Sequence, residues 1–413
     1  MAKAYTRRYG DIRTLLRRSL IPLTAIAMLV AVAGCQSSPA PTAPAAPTTA
    51  AASQAVAPAT AAAPPAVAAT TAPAAQAQPA AGKKLKIALA NSYIGNKWRI
   101  EMANVFRAAL DMEPYKSEVD GSIYSSGNDV SKQSQQLSNL ISQKVDAIVL
   151  NAASPTGLNG IVEQAAQRGI LVVSFDNTVT TPAALKVNTD QFKFGAQLAQ
   201  FLADKMGGKG NVIMVTGVAG TTVDEQRNAG ADSVWAKYPD IKVVNRFTGM
   251  WDSSVAERNA AGVLPSLPKI DGIWCQGGTD GVIKAFIAAG RPVPVVAGEA
   301  ENGFRKFMLG DYMGQPKITA MSIGQPPFLS VVSLELARAI LQNRYPKKDI
   351  EIPFPYVTTD TVKSGETVFP ELEDSFFTDF TDSGDNATVQ LCVDAGLSGT
   401  ACDGSLKVNL PKP

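Results

Sequence analysis

Short apolar runs alternate with longer amphipathic segments from Lys83 onward. The first part of this pattern predicts strands over residues 85–90, 119–124, 145–150 and 170–175, with helices over residues 97–111, 130–143 and 155–168 between them. Apolar strands separated by helices of this length are typical of parallel βαβ units whose sheet is covered on both faces.

A second series of the same kind follows a short strand predicted over residues 185–188. It predicts strands over residues 212–215, 241–247, 273–275 and 293–297, and helices over residues 192–206, 223–238, 254–264, 282–289 and from Asn302. The glycine-rich run 207–210 follows a helix and precedes a strand, so it is interpreted as a helix C-cap rather than a phosphate loop. The fold class is therefore α/β, with two doubly wound parallel-sheet lobes.

The last predicted elements are a strand over residues 318–323, a helix over 329–341 and a strand-like run over 350–357. We expect them to carry the chain back to the first lobe across a hinge of crossover segments. The predicted domains are residues 83–188 with about 326–349 as lobe 1, residues 189–325 with about 350–364 as lobe 2, and residues 365–413 as a carboxyl-terminal extension.

The first 35 residues have the pattern of a secretory signal peptide. A basic stretch precedes the apolar run from Leu20 to Ala33, which is shorter than the about 20 residues that span a bilayer. The run leads into Val-Ala-Gly-Cys, which resembles a bacterial lipobox, so Cys35 is predicted to be acylated and to begin the mature protein. An ordinary secretory signal is the alternative, and Arg17-Arg18 leaves a twin-arginine export route open.

Residues 36–82 consist almost entirely of Ala, Pro, Thr, Ser, Gln and Val. Such a segment buries too little apolar surface to offset its ordering entropy, and its prolines favour extended conformations. We therefore predict a disordered tether that holds the folded body away from a membrane surface.

The chain has no histidine, which excludes Ser-His-Asp and Cys-His catalysis and every histidine-containing metal site. Its formal net charge is only +2, and the basic leader inflates that value. No cofactor and no metal site are predicted, since the spacing of Asp379, Asp382 and Asp385 does not match an EF-hand loop. Among the other cysteines, Cys275 is predicted to be a buried thiol, and Cys392 and Cys402 are a candidate disulfide pair.

Motifs follow the predicted strands in a specific order: Asn91-Ser92-Tyr93 with Asn96-Lys97-Trp98-Arg99, Gly127-Asn128-Asp129, Asn151, Asp176-Asn177, Asn188-Thr189-Asp190, and a glycine loop that leads to Arg227. This series resembles the type I periplasmic binding proteins of the ribose-binding, monosaccharide class. The resemblance covers residues 83–357 and implies two lobes, a hinge of crossover strands and a sugar-like ligand in the cleft between the lobes.

In open α/β sheets, ligands bind beyond the carboxyl ends of the strands. The candidate ligand-binding residues are Asn91, Asn96, Trp98, Arg99, Asn151, Asp176, Asn177, Arg227, Trp251, Gln276, Asp280, Glu299 and Gln325. The two arginines and the carboxylates of Asp176 and Glu299 are expected to orient a sugar through charge-assisted hydrogen bonds. The tryptophans are expected to stack on its C–H faces, and Gln325 is predicted to face the cleft from the hinge. The structural alternatives are core packing for the tryptophans, a turn for Asp176-Asn177 and a solvated helix face for Arg227.

The sequence departs from the ribose binders at four places. Gln276 to Asp280 replaces an Asn-Asp pair, Gly298-Glu299 replaces Phe-Asp, Arg99 replaces a phenylalanine and Asn177 replaces an arginine. These differences make ribose doubtful and leave a hexose, a polyol and an acidic sugar as alternatives.

We expect a monomeric, extracytoplasmic, lipid-anchored protein that delivers its solute to the permease of an ABC transporter. A sensory co-receptor and a glycosidase using Asp176 and Glu299 are alternatives. No nucleic-acid partner is expected, because a signal peptide and tether occupy the place of a DNA-reading module.

Overall fold

Two parallel sheets with helices on both faces form the folded body. The computed structural model describes residues 83–379 and 406–412. The predicted signal peptide, Cys35, the tether and the Cys392/Cys402 pair lie outside these residues. Among the described residues, no helix is both long and apolar enough to cross a membrane.

Lobe 1 is built first along the chain. Its strands are β1 (Leu85–Asn91), β2 (Val119–Ser125), β3 (Ala147–Leu150), β4 (Leu171–Phe175) and β5 (Leu185–Asn188), and its helices are α1 (Lys97–Leu110), α2 (Tyr115–Glu118), α3 (Val130–Ser142) and α4 (Asn159–Gln167). Strands β3 and β4 are buried throughout, as expected for a sheet covered on both faces.

Lobe 2 repeats the same alternation. Its strands are β6 (Lys209–Thr216), β7 (Asp240–Thr248), β8 (Gly272–Cys275), β9 (Val295–Glu299) and β10 (Ala320–Ile323), and its helices are α5 (Gln191–Lys205), α6 (Thr222–Trp235), α7 (Ser253–Val263), α8 (Thr279–Ala288) and α9 (Asn302–Leu309). Gly207 and Gly208 have φ of 66° and 74° just after α5, which confirms the predicted glycine C-cap.

The late elements divide between the lobes. They are α10 (Leu329–Leu341), β11 (Ile350–Glu351) and β12 (Tyr356–Thr358). Helix α10 is buried along its whole length and packs in the core of lobe 1. In the described residues, the sheet orders are β11-β5-β4-β3-β1-β2 and β12-β10-β9-β8-β6-β7, parallel except for the β10–β12 pair.

The chain crosses between the lobes after β5, after β10 and after β11, as the sequence predicted. The predicted boundary at residue 350 is wrong, however. Ile350 and Glu351 pair with Val187 and Asn188 in lobe 1, and only Tyr356–Thr358 joins lobe 2. Pro353 and Pro355 lack the backbone N–H that a continuous strand needs, so the apolar run is split between the two sheets.

The helices that face the cleft begin with side-chain caps placed just after strands. Asn96 accepts from the backbone N–H of Arg99, Asp190 from that of Lys193, and Thr221 from that of Asp224. Because the carboxyl ends of parallel strands lie at one edge of each sheet, these helix starts gather there. The two edges face each other across the hinge.

Candidate functional site

A cavity lies between the two strand-end edges, with about 290 Å³ of empty space that includes its opening to solvent. Its lining residues are Asn96, Trp98, Arg99, Asp176, Val223, Arg227, Trp251, Glu299 and Gln325. Eight of these nine residues were predicted from the sequence.

On the lobe 1 side, Asp176 is the centre of the hydrogen-bond network. Its Oδ2 lies 2.9 Å from Nη2 of Arg99 and accepts from Nδ2 of Asn151 at 2.8 Å and from Nδ2 of Asn177 at 3.1 Å. Its Oδ1 accepts from Nε2 of Gln325 at 2.9 Å. Asp176 has φ of 55°, a left-handed conformation that aspartate tolerates better than most residues.

On the lobe 2 side, Arg227 occupies the central position. Its Nη1 and Nη2 each donate to Oε1 of Glu299 at 3.2 Å, and Nη2 also donates to Oε1 of Gln325 at 3.0 Å. Its Nε donates to Oε1 of Gln191 at 2.8 Å, and Nη1 donates to the carbonyl of Gln276 at 3.1 Å. Phe194 lies under the guanidinium, 3.7 Å from ring centroid to Cζ, which adds a cation–π contact.

Two tryptophans from opposite lobes wall the cavity. The indole N–H of Trp98 donates to the carbonyl of Gln325 at 2.7 Å, and that of Trp251 donates to Oε1 of Gln276 at 3.3 Å. The Trp251 ring packs so closely on Gly217 that a Cβ there would lie 2.2 Å from it. Position 217 therefore needs glycine for this wall to form.

Gln325 joins the two sides of the site. It follows β10 at the second crossing, where its side-chain N–H reaches Asp176 and its side-chain carbonyl accepts from Gln191 at 2.5 Å and from Arg227. Gln325 lines the cavity from this position, and its predicted contact with a solute stays a prediction. One amide thus connects the Arg99–Asp176 pair to the Arg227–Glu299 pair.

Four predicted residues support the lining rather than forming it. Asn91 accepts from Nη1 of Arg99 at 3.2 Å, and Asn151 and Asn177 donate to Asp176. Gln276 contacts Arg227 through its carbonyl and Trp251 through its side chain.

The prediction that Asp280 contacts the solute is not supported by its position. It lies in the first turn of α8, where its carboxylate accepts from Ser253 and pairs with Nζ of Lys284 at 2.7 Å. These contacts keep the buried carboxylate beside Ser253 and Lys284, and Asp280 is not among the residues that line the cavity.

The sequence reasoning missed Val223, which lines the cavity from the first turn of α6. An apolar residue at a helix start gives no signal that separates a cleft contact from core packing. Tyr93 was quoted only as part of a motif, yet it packs against Val218, Val223 and Trp251 across the cleft.

The lobes touch directly beside the cavity. Oγ1 of Thr222 donates to the carbonyl of Thr178 at 2.9 Å, and the backbone N–H of Val223 donates to Oδ1 of Asn177 at 3.1 Å. These contacts join α6 of lobe 2 to the segment after β4 of lobe 1. The cleft is therefore closed in this structure.

Burial raises the pKa of Glu299 to about 7, against the opposing effect of the Arg227 charge. Its neighbour Glu301 accepts from the backbone N–H groups of Gly278 and Thr279, and burial raises its pKa to about 8. The cavity lining carries two arginines and two carboxylates, so its formal charges balance. Within the described segments, no cluster of acidic or cysteine side chains is placed to hold a metal ion.

Comparison with known proteins gives a consistent family. The periplasmic binding protein domain matches residues 87–344, which is more than half of the chain. The xylitol-binding protein of Mycolicibacterium smegmatis is 34% identical over 244 residues, covering 58% of this chain and 68% of that protein. The ribose import binding protein of Bacillus subtilis is 24% identical over 279 residues, covering 67% and 88%.

Among solved structures, an ABC transporter solute binding protein from Thermobispora bispora superposes with a TM-score of 0.65 and 27% identity, covering 80% of this chain and 99% of that one. The predicted resemblance is confirmed by these matches together with the two-lobed fold and its three crossings. The chain belongs to the periplasmic binding protein family.

Proposed function

We propose that this protein captures a neutral monosaccharide or polyol in the cleft and presents it to the permease of an ABC importer. The observation that carries the proposal is the pairing of two arginine–carboxylate couples from opposite lobes, walled by two tryptophans and connected through Gln325. Hydroxyl groups both donate and accept, so they can use every group of this set. A solute that contacts both lobes favours the closed state.

The charge balance of the lining favours a neutral solute over an acidic sugar. Arg99 already pairs with Asp176, and Arg227 already pairs with Glu299. A third carboxylate would be buried without a cation of its own, which is strongly unfavourable in a site of this depth. Burial raises the pKa of Glu299, which is the direction expected where a further negative charge is unfavourable.

The names of the relatives agree with this class of solute. The protein that is 34% identical is named for xylitol, and a more distant one is named for ribose. Xylitol is therefore the first solute to test. The four departures from the ribose binders, above all Glu299 and Arg99, make ribose itself a poorer expectation.

We further propose that the mature protein begins at acylated Cys35 and is held outside the cytoplasmic membrane by its tether. The lipobox-like Val-Ala-Gly-Cys sequence and the uncharged segment that follows support this arrangement. Two acyl chains give stable attachment, since each buried methylene contributes about 0.8 kcal/mol. A monomer is sufficient for function, because both walls of the site come from one chain.

We propose binding without catalysis. A glycosidase needs one carboxylic acid and one carboxylate free to act on a glycosidic bond. Here Asp176 and Glu299 are both engaged by arginines, and the relatives are named as binding proteins. Incubation with disaccharides should release no monosaccharide.

Thermal unfolding of the chain from Gln36 onward tests the function. Xylitol, D-ribose, D-allose and myo-inositol would be compared with xylonate and D-glucuronate. A true solute at a thousandfold excess over Kd stabilises the fold by about 4 kcal/mol, which gives a large Tm shift. A shift with a neutral compound and none with its acid supports the proposal. A shift with the acids alone would show that the neutral class is wrong, and no shift with any of them would count against the proposal as a whole.

A further inference from the structure

The segment from Gly365 to Asp379, here called the tail segment, runs along both lobes. It follows β12 and lies beyond residue 344, where the family match ends. Val368 packs in the core of lobe 2, whereas Phe377 packs in the core of lobe 1. The tail segment therefore spans the junction between the lobes.

Its attachment to lobe 2 is dense. Nδ2 of Asn302 donates to the carbonyls of Phe369, Leu372 and Glu373 at 2.8, 3.2 and 3.0 Å. Asp374 pairs with Nζ of Lys284 and with Nζ of Lys306, each at 3.0 Å. Such a set of buried and half-buried contacts fixes the segment on α9 as a rigid part of lobe 2.

A buried ion pair continues this attachment beneath the hinge. Asp379 pairs with Nη2 of Arg305 at 2.6 Å, and both side chains are almost fully buried. A Cβ added at Gly324 would lie 1.3 Å from Oδ2 of Asp379, so the carboxylate sits directly against the backbone of the second crossing. Only glycine fits at that point of the hinge.

The contacts with lobe 1 are made to α1. Nζ of Lys97 lies 2.9 Å from Oε2 of Glu373, and the backbone N–H of Phe377 donates to Oε2 of Glu101 at 3.3 Å. Trp98 and Arg99, which line the cleft, lie in the same helix between these two contact points. The tail segment thus holds the helix that presents two of the cleft walls.

We propose that the tail segment acts as a fourth connection between the lobes, a strap that positions α1 against lobe 2 and resists opening of the cleft. Opening moves lobe 1 away from lobe 2, so contacts from a segment fixed on lobe 2 to α1 favour the closed state. The proposal rests on the solute-binding function only through cleft opening, which can be measured with no solute present.

The Lys97–Glu373 pair offers the cleanest test because Glu373 is 72% exposed and substitution there leaves the core intact. Lys97→Glu and Glu373→Lys each replace an attraction by a repulsion, and the double variant restores the pair in reverse. Glu366→Lys is the matched control, because its partner Lys363 also lies in lobe 2 and the pair crosses no lobe boundary. Circular dichroism melting would verify that each variant is folded.

The measurements are the radius of gyration from small-angle X-ray scattering and hydrogen exchange of the α1 amides, both without solute. For the two single variants we expect a larger radius and about two- to fivefold faster exchange, in line with the usual strength of exposed ion pairs. The double variant should return to the wild-type values, and Glu366→Lys should not differ from wild type. Single variants that match wild type in both measurements, or a double variant that is not restored, would overturn the proposal. Neither result depends on whether xylitol or any other solute binds.

Discussion

The two sides of the cleft use the same residue types in opposite ways. In lobe 1 the carboxylate of Asp176 collects donors from Arg99, Asn151, Asn177 and Gln325. In lobe 2 the guanidinium of Arg227 serves several acceptors, and the hydrogen bonds that Glu299 receives from the described residues are at Oε1. The anion of lobe 1 is thus satisfied by the protein, whereas that of lobe 2 keeps Oε2 available to a solute hydroxyl.

This difference assigns distinct roles to two ion pairs that look equivalent in sequence. The Arg99–Asp176 pair is held in place by the protein before a solute binds. The hydrogen bonding of the Arg227–Glu299 pair, in contrast, changes with the solute that enters the cleft. Preorganisation reduces the entropy that is lost when the solute binds. An acceptor with a free lone pair adds a hydrogen bond for a solute that can donate to it.

The largest loss in the free energy of unfolding is expected when one of the two cleft arginines, Arg227 or Arg99, is replaced. Arg227→Met leaves Glu299 buried without a cation, and breaking a buried pair in this way costs about 3–5 kcal/mol. Arg99→Met should cost less, because Asp176 keeps three amide donors. Urea unfolding measures both. Arg246→Met, at the exposed pair with Asp232, is the control and should be near neutral. An equal or larger loss for Arg99→Met would contradict the assigned roles.

Glu299 should make a pH-dependent contribution to the free energy of unfolding. Its pKa in the folded state, about 7, is raised above the ordinary 4.5. The folded state therefore favours the protonated form, so this contribution is complete below about pH 4.5 and is lost as the pH rises through 7. The shift corresponds to a loss of up to about 3 kcal/mol.

Unfolding free energies of wild type and Glu299→Gln at pH 5 and pH 7.5 measure this contribution. The wild type should lose more stability than the variant over this interval. Glu301 has a raised pKa in the same direction, so the variant should retain part of the dependence. Glu366→Gln, at an exposed carboxylate, serves as the control. If wild type and Glu299→Gln lost the same unfolding free energy between pH 5 and pH 7.5, the expected contribution of Glu299 would be ruled out.

Replacing each tryptophan by phenylalanine removes its indole N–H together with part of the ring, and the resulting loss of solute affinity should differ between the two positions. Trp98→Phe leaves the hinge carbonyl of Gln325 without its 2.7 Å donor, and an unsatisfied buried acceptor costs about 1–3 kcal/mol. Trp251→Phe removes a longer bond of 3.3 Å to a side chain that can reorient. Calorimetric titration with the solute identified by thermal unfolding should show the greater loss of affinity for Trp98→Phe. A greater loss of affinity for Trp251→Phe would show that the hydrogen bond from Trp98 to the hinge carbonyl does not have the expected weight in binding.

The smallest loss of affinity is expected when one hydroxyl group that bridges the lobes is removed. Thr222→Val removes the 2.9 Å bond to the carbonyl of Thr178, with an expected loss of about 0.5–1.5 kcal/mol in closing the cleft. Thr181→Val removes a comparable bond to Glu163 within lobe 1 and is the matched control. Affinity should fall only for Thr222→Val. A similar fall for both variants would show that the loss reflects general destabilisation.

The alternation of apolar and amphipathic segments was sufficient to predict the two lobes. Local pattern also placed Asn91, Asn151 and Asp176 at strand ends, where the sheet edge brings them together. The positions of Trp98, Arg99 and Arg227 came from the order of family motifs rather than from periodicity. Their ligand-contacting roles stay predictions until a solute is bound.

The failures have a shared physical cause, which is that they depend on contacts distant in sequence. Asp280 follows a strand, yet Lys284 and Ser253 hold it outside the cavity. Residues 350–357 form one apolar run, yet its two ends pair with different sheets. The tail segment contacts α1 across 276 residues of sequence, which no local pattern encodes.

The burial of α10 in lobe 1 sets an order for folding during synthesis. Every residue of this helix is buried, and it packs against a sheet whose strands β1 to β5 end at Asn188. The first lobe therefore exposes an apolar face until Leu341 has been made, after the whole of β6 to β10. Neither lobe is complete when β10 has been made, because lobe 1 still lacks α10 and β11 and lobe 2 still lacks β12. The two lobes therefore finish folding together, at the carboxyl-terminal end of the body, rather than one after the other along the chain.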